Sequence, residues 1–559
     1  MKTLDQIEAR IPLNATTAPG NANGVHVIAT PGSYYLTGDV QGVASKDAII
    51  IEASNVTLDL NGYSLKGVAS SLNGIAISRS NAALTGITIR NGFITGFGQR
   101  GVHTVGTGAV QGLTIEDLTV ACVGTGVRSD VSGSTVVRRV FVRGGVGGIQ
   151  CAGANSVDQI EDCVVSGTTG EAIIGDVVEG CQVSQVTNSG LVVLSGSRIS
   201  HCRVASVSGA TGLVGIYGEE VNDCVVSDLT LTAAGPVDGV AGDLVSATRV
   251  QNLISAGGNV RGIAQRNSSQ GVVNGCSVAS LKTTGTATVT GIQADSVSQS
   301  QISRLGYEGA TGAVNGIIFG SRVDDCSVRG LGHVGTTSIV IGIDADTTGM
   351  GAVSRAVVQD FKGAGGLLGI SASMVKDSKI SKFTQNGSNG FPGNQAINAT
   401  TITGCTISEL TANASLPLFV VSGETVTDTT VNSVSNSFSG SFAHGISGRH
   451  IVNCAVTDIG GIGLSGKSTA SLICDCTVSN ASVGGIEYSG QGGLVEGNSV
   501  RGCPTGIQTT ASSNRAVVRG NTVTTCPTRY NMNANSVVGP IVTATGTIAS
   551  TNPFANFSD

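Results

Sequence analysis

Ile160-Glu161-Asp162-Cys163-Val164-Val165 recurs as VNDCVV at Val221 to Val226 and as VDDCSV at Val323 to Val328. The outer residues of the unit are apolar and face a core, the polar pair turns the backbone, and the Cys points back in. This is the pattern of one corner of one coil in a parallel β-solenoid.

With substitution allowed at the fourth position, the unit recurs 20 times from Tyr63 to Asn521. The mean period of about 24 residues is that of a solenoid. Spacings run from 18 (Cys163 to Cys181) to 30 (Cys326 to Ala356), so the coils share a core and differ in their loops. Between corners lies a second element, Gly followed by an aliphatic residue, as in GIQAD at Gly291, GIIFG at Gly316, GIDAD at Gly342 and GISAS at Gly369. Each coil therefore carries at least two short β-branched strands. No helical period separates them, which argues against a βαβ fold.

Three stretches, PGSYYLTGDV (Pro31 to Val40), ASNVTLDLNGYSLKG (Ala53 to Gly67) and ITIRNGFITGFG (Ile87 to Gly98), with the repeated corners, carry a resemblance. The chain resembles the right-handed parallel β-helix repeat proteins of the pectin-lyase-like group. The resemblance implies an all-β, single-domain right-handed parallel β-helix of 20 coils. It says little about chemistry, because the group includes lyases, hydrolases, epimerases, binding proteins and adhesins.

On this reading residues 1–45 are an N-terminal cap, 46–533 the parallel β-helix and 534–559 a C-terminal capping tail. The cap opens with a capping box at Thr3 to Gln6, which predicts a short helix with Leu4 and Ile7 on one face. The tail loses the corner motif, and Phe554 and Phe557 are placed to plug the last coil or to meet another copy in a trimer or filament.

Glycine, at 82 of 559 residues, is about twice its usual share. A 40% hydrophobic fraction and 12% charge exclude a disordered chain, and the lack of Trp suits a narrow core of small aliphatic residues. Net charge is −6, without a basic stripe, which argues against nucleic-acid binding. No stretch is apolar enough for a membrane span, and MKTLDQIEARIPL shows no signal-peptide core. The resemblance nonetheless favours export to the cell surface or beyond. Nine of 14 cysteines share the corner position, where side chains one coil apart exceed the roughly 3.8 Å Cβ separation of a disulfide. They are expected to be free, buried thiols. Cys474 and Cys476 form the only close pair, so no metal site is predicted from cysteines.

In the Gly-led strands alternation sends the second and fourth residues after Gly outward and the third inward. The third is Gly218, Gly242, Ala294, Ala345 or Ala372, small enough to be packed. The outward stripe carries Tyr217, Glu219, Asp243, Arg266, Gln293, Asp295, Asp344 and Asp346. Carboxylates a coil apart raise each other's pKa and an adjacent Arg lowers it, the separation that paired acid/base work needs. Glu219, Asp243 and Arg266 are the candidate catalytic residues, with Arg266 orienting a uronate or abstracting a proton. Tyr217, Gln293, Asp295, Asp344 and Asp346 are the candidate substrate contacts, and Ca²⁺ is a candidate ion to neutralise the sugar carboxylate. Two further outward groups are His103, Arg128, Asp130, Gln150 and Asp176, and Arg449, His450, Lys467 and Glu487.

The rival reading of these charges is solvation of a soluble sheet. The polygalacturonase set N-T-D, G-H-G and R-I-K is missing, His333 standing in LGHVG. The expected function is binding of an acidic polysaccharide, with cleavage or epimerisation as its enzymatic form. The competing class is a non-catalytic structural, fibre or adhesin component.

Overall fold

The residue before each corner bends the chain. At all 20 corners that residue has a positive φ, from 48° at Ala247 and Asp377 to 78° at Gly62. Fifteen of the 20 are Gly, Asp or Asn, the residues that tolerate the left-handed region best. The D or N before Cys in the repeated motif is thus a backbone requirement. Nineteen of the 20 corner residues are buried; Tyr63, in the first coil, turns outward.

The computed structural model describes residues 10–78, 80–130, 132–153, 157–188, 192–266, 270–306, 311–318, 320–333, 335, 338–345, 349–386, 394–413, 418–437, 443–510, 515–543 and 550–559. These form strands and turns with no helix. They fall into two compact units, Met1–Gly258 with Gly262–Ser268, and Asn259–Arg261 with Ser269–Asp559. Within each unit every strand pairs in parallel with the equivalent strand of the next coil, as Leu213–Asn222 pairs with Val237–Ser246 and Leu418–Thr427 with Ala443–Val452. Both units are parallel β-solenoids.

The cap helix expected at Thr3 to Gln6 lies outside the described residues. The rest of the cap is strand: Ile11–Pro12 pairs with Gly32–Tyr35, and Gly24–Ile28 with Asp47–Ile51. No helical cap is supported, since these short strands already cover the first coil's backbone edge.

A corner closes through its side chain. The backbone N–H donates to the corner side chain of the next coil: Val140 to Cys163 Sγ (3.5 Å), Cys224 to Thr248 Oγ1 (3.3 Å), Ala356 to Ser378 Oγ (3.2 Å), Cys476 to Asn498 Oδ1 (3.0 Å). The thiol or hydroxyl then donates to the carbonyl two residues back, as Cys202 does to Ser200 (3.2 Å) and Ser300 to Ser298 (2.8 Å). Cys, Ser, Thr and Asn interchange here because each offers a donor and an acceptor. All 14 cysteines are free and 13 are buried, Cys474 being half-buried. Burial pushes the Cys326 and Cys405 thiols up to about 11. Ellman's reagent should find at most one fast thiol in the native protein and 14 after denaturation. Rapid native reaction of four or more would show that the corners do not shield them.

The tail corrects one expectation. Asn556–Ser558 pairs with Thr522–Thr524, and buried Asn556 accepts from the Asn521 N–H (3.1 Å), so the corner ladder continues beyond Asn521. Phe554 is 47% exposed beneath the Arg519 guanidinium, 4.7 Å from its ring centroid, and Phe557 is half-buried in the strand Asn556–Ser558.

Candidate functional site

The Gly of the second element is there because of its neighbour in the next coil. A Cβ on Gly215 would lie 2.6 Å from the Gly239 carbonyl oxygen, and one on Gly239 would lie 2.7 Å from that of Gly262. This close stacking fixes register on both sides of the sheet. Counting four residues from Gly215, Gly239 and Gly262 gives Glu219, Asp243 and Arg266, one from each of three successive coils. Gly218 and Gly242 face inward as expected, in register with each other.

Tyr217 stands two residues after Gly215, and the equivalent places in the next two coils hold only Ala241 and Ala264. The long Arg266 side chain therefore folds back over both. Its Cζ lies 4.8 Å from the Tyr217 ring centroid, a cation–π contact. Nη2 is 3.6 Å from Glu219 Oε1 and Nε 3.8 Å from Asp243 Oδ2. Both distances are ion-pair distances, too long for hydrogen bonds. The Arg266 side chain is only 17% exposed, and its Nε is shielded with no hydrogen-bond partner among the described residues. Tyr217, by contrast, is 40% exposed. The structure brings together four of the eight sequence-predicted residues: Tyr217, Glu219, Asp243 and Arg266.

The other predicted residues belong to the second unit. Gln293 Oε1 accepts from Arg261 Nη1 at 3.3 Å. The Asp295 carboxylate accepts from the Gln270 backbone N–H, and its carbonyl accepts from the amides of Ser321 (2.6 Å) and Arg322 (3.1 Å), so Asp295 ties a turn. Asp344 is half-buried, in register with Ile318 and Ser371. Asp346 lies outside the described residues. From Asp344 the same outward column runs through Ser371, Asn398, Ser422, Ser447, Ser465, Glu487 and Gln508. Asn398 and Ser422 also line a shallow hollow of about 290 Å³, with Thr400 and Glu424. A search for charge passes over such a column of hydroxyls and amides.

In the first unit His103, Arg128 and Gln150 stand in register, Arg128 bonding Asp130 (Nε to Oδ2, 2.5 Å) and Gln150 Oε1 (Nη1, 3.4 Å). Asp176 Oδ2 accepts from the Asp158 N–H (2.9 Å), again a turn contact. The sequence reading missed the residue before the Gly: Arg100 before Gly101, Arg261 before Gly262 and His444 before Gly445 each lean onto the stripe. They stand one residue before the Gly, where the alternation that sends the second and fourth residues outward would place a side chain inward, so a period-2 count does not find them.

Near the end of the second unit the Phe419 ring stacks on His444 (4.8 Å, 9°), and Lys467 Nζ lies 4.7 Å from its centroid. Burial, then the charge of Lys467, pulls the His444 pKa down to about 4. The unfolded chain then binds the extra proton, so stability is full above about pH 6.5 and falls towards pH 4, by about 3 kcal/mol. Denaturant midpoints at pH 7 and pH 4.5 should draw together in His444→Gln; parallel losses in both proteins would remove His444 as the cause. Glu487 Oε2 accepts from Gln508 Nε2 at 2.7 Å. Among the described residues no group of three His, Cys, Asp or Glu side chains is arranged to hold a metal ion. Nor is any helix there long and apolar enough to cross a membrane.

A family model described as "Right handed beta helix region" matches residues 342–523. Comparison with curated proteins gives no match. Among solved structures, the A-module of Azotobacter vinelandii mannuronan C-5 epimerase AlgE6 aligns over 92% of this chain and 92% of its own, at 12% identity and a TM-score of 0.13. The fold assignment rests on the coils and the family match: a right-handed parallel β-helix repeat.

Proposed function

We propose that this right-handed parallel β-helix protein binds an acidic polysaccharide through the Tyr217, Glu219, Asp243 and Arg266 cluster. The observation that carries the reading is the state of Arg266: a guanidinium held over an aromatic ring, near two carboxylates, yet hydrogen-bonded to neither. A planar fork with unspent donors is suited to a carboxylate or sulfate. The open part of the Tyr217 ring offers apolar surface to a sugar, and Glu219 and Asp243 would accept from its hydroxyls. Gln293 and Asp344 stand as further stripe contacts in the second unit, Asp295 would have to release the Gln270 amide to join them, and Ca²⁺ is an alternative counter-charge. Such a substrate is met outside the cell, so the reading carries a surface or extracellular location with it.

Eliminative cleavage would require one of Glu219, Asp243 and Arg266 to take the proton from the carbon beside the sugar carboxylate while the neighbouring glycosidic C–O bond breaks and its oxygen is protonated; epimerisation would instead return a proton to the opposite face of that carbon. Retention on immobilised alginate, pectate and glycosaminoglycans, with and without Ca²⁺, tests binding; absorbance of unsaturated uronates over the same panel tests lyase chemistry. Tyr217→Ala and Arg266→Gln should each weaken retention roughly tenfold or more, as loss of about 1.4 kcal/mol would. Retention on none of the polymers would sink the reading and favour a non-catalytic structural or fibre role.

A further inference from the structure

We propose that Arg100, His103 and Arg128 form a second anion-binding point on the same outward column as Tyr217, so that the protein holds one acidic polysaccharide at two places and favours chains long enough to span both. The inference rests on the polysaccharide reading and adds a length requirement to it.

The column is continuous within the first unit. His103 aligns with Arg128, Arg128 with Gln150, Gln150 with Ile174, Ile174 with Ser195 and Ser195 with Tyr217. Arg128 and Tyr217 are therefore four coil steps apart, about 19 Å at the usual strand spacing. Between them stand Gln150, Ile174 and Ser195, none of which carries a charge.

Three basic side chains meet at the distal point. Arg100 Nη1 lies 3.4 Å from His103 Nδ1, and His103 is in register with Arg128. Asp130, bonded to Arg128, is the carboxylate that faces them. Burial and then the charge of Arg128 lower the Arg100 pKa, and Asp130 offsets this only in part. A bound anion would relieve that repulsion, and Gln150 beside Arg128 adds an amide suited to a sugar hydroxyl.

Two separated cationic points fit a sparse polyanion. Duplex nucleic acid carries a charge about every 1.7 Å of its axis, and its phosphates would meet Asp130, Glu219 and Asp243 between the arginines. A polyuronate or sulfated glycan carries one charge per sugar or per few sugars, so its anions can skip the carboxylates.

Tethering makes the second contact intramolecular, so affinity should step up once an oligosaccharide spans the gap. The experiment is calorimetric titration of size-fractionated uronate oligosaccharides, at two salt concentrations, into the full chain and into Arg128→Gln, Arg100→Gln and Tyr217→Ala. The expected result is a gain of roughly tenfold or more between fragments too short and long enough to bridge about 19 Å. Arg128→Gln and Arg100→Gln should each erase that gain and leave short-fragment affinity unchanged, whereas Tyr217→Ala should lower affinity at every length. A gain that survives both arginine variants, or affinity independent of length, overturns the second point and leaves the Tyr217 reading standing. No binding at any length overturns both. Competition by duplex DNA as strong as by the longest oligosaccharide overturns the polysaccharide assignment.

Discussion

Replacing Asn521 by Leu is expected to cost about 4 kcal/mol and to unravel the last coils ahead of the rest. Asn521 is fully buried and its amide is spent in both directions. Its Oδ1 accepts from the Asn498 N–H (3.0 Å) and Nδ2 (2.9 Å). Its Nδ2 donates to the Val495 carbonyl (2.9 Å) and to Asn556 Oδ1 (3.1 Å). Leu fills a similar volume but strands at least two of these groups, each costing about 1–3 kcal/mol when buried without a partner. Asn521→Ser keeps a hydroxyl of the kind that closes the corner at Ser300 and Ser378, and should cost nearer 1 kcal/mol. Solenoid coils contact only their neighbours, so hydrogen exchange should quicken from about Leu494 to the end while the strands near Asp344 stay protected. Wild-type exchange rates in Asn521→Leu would show that the asparagine ladder does not hold this end.

That ladder also marks how far the corner could be read from sequence. The repeat of Asp or Asn before Cys was visible because two separate demands, a left-handed residue and a buried side chain with donor and acceptor, fall on adjacent positions. Where one demand was met unusually, the pattern blurred. Ala247, Gln299 and Arg355 hold the left-handed place without the customary side chain. Asn556 continues the side-chain ladder although Ala555 before it has no positive φ, in a segment whose spacing from Asn521 is longer than any between the earlier corners, so the tail looked motif-free. The cap strands were legible as PGSYYL, but nothing in Ile11–Pro12 announces a strand; its parallel partner, Tyr34–Tyr35, supplies the reason.

For the site, alternation after Gly placed Tyr217, Glu219, Asp243 and Arg266 on one face, and register did the rest. What the sequence did not convey is reach. Arg266 touches Tyr217 only because Ala241 and Ala264 leave the intervening steps empty, and small residues draw no notice in a search for charge. The opposite held for Asp295, whose carboxylate looked available and is used by the Gln270 amide.

Gly239→Val should abolish binding at the Tyr217 cluster without altering any residue that would touch a ligand. A Cβ there would press on the Gly262 carbonyl oxygen at 2.7 Å and on Leu253 Cδ1 at 3.2 Å, as well as on Val250 Cγ1. The obstacle is backbone, which cannot rotate aside, so the coil that carries Arg266 must move relative to the one that carries Asp243. Overpacking of this kind costs typically 1–3 kcal/mol, and the branched side chain should place Gly239→Val at about 3 kcal/mol. The ion pairs of Arg266 with Glu219 and Asp243, already at 3.6 and 3.8 Å, have no slack to absorb a shift. Gly445→Val is the matched control in the second unit, where a Cβ would lie 2.5 Å from the Gly463 carbonyl oxygen and 2.9 Å from Val456 Cγ1. Both variants should lose similar stability in denaturant titrations. Only Gly239→Val should lose polysaccharide affinity, by at least as much as Arg266→Gln, because displacing the guanidinium removes its contact with the sugar acid as surely as deleting it. Equal affinity in the two glycine variants would mean that the cluster's geometry is not what binds, and that the outward charges on these three coils serve only to keep the sheet in solution.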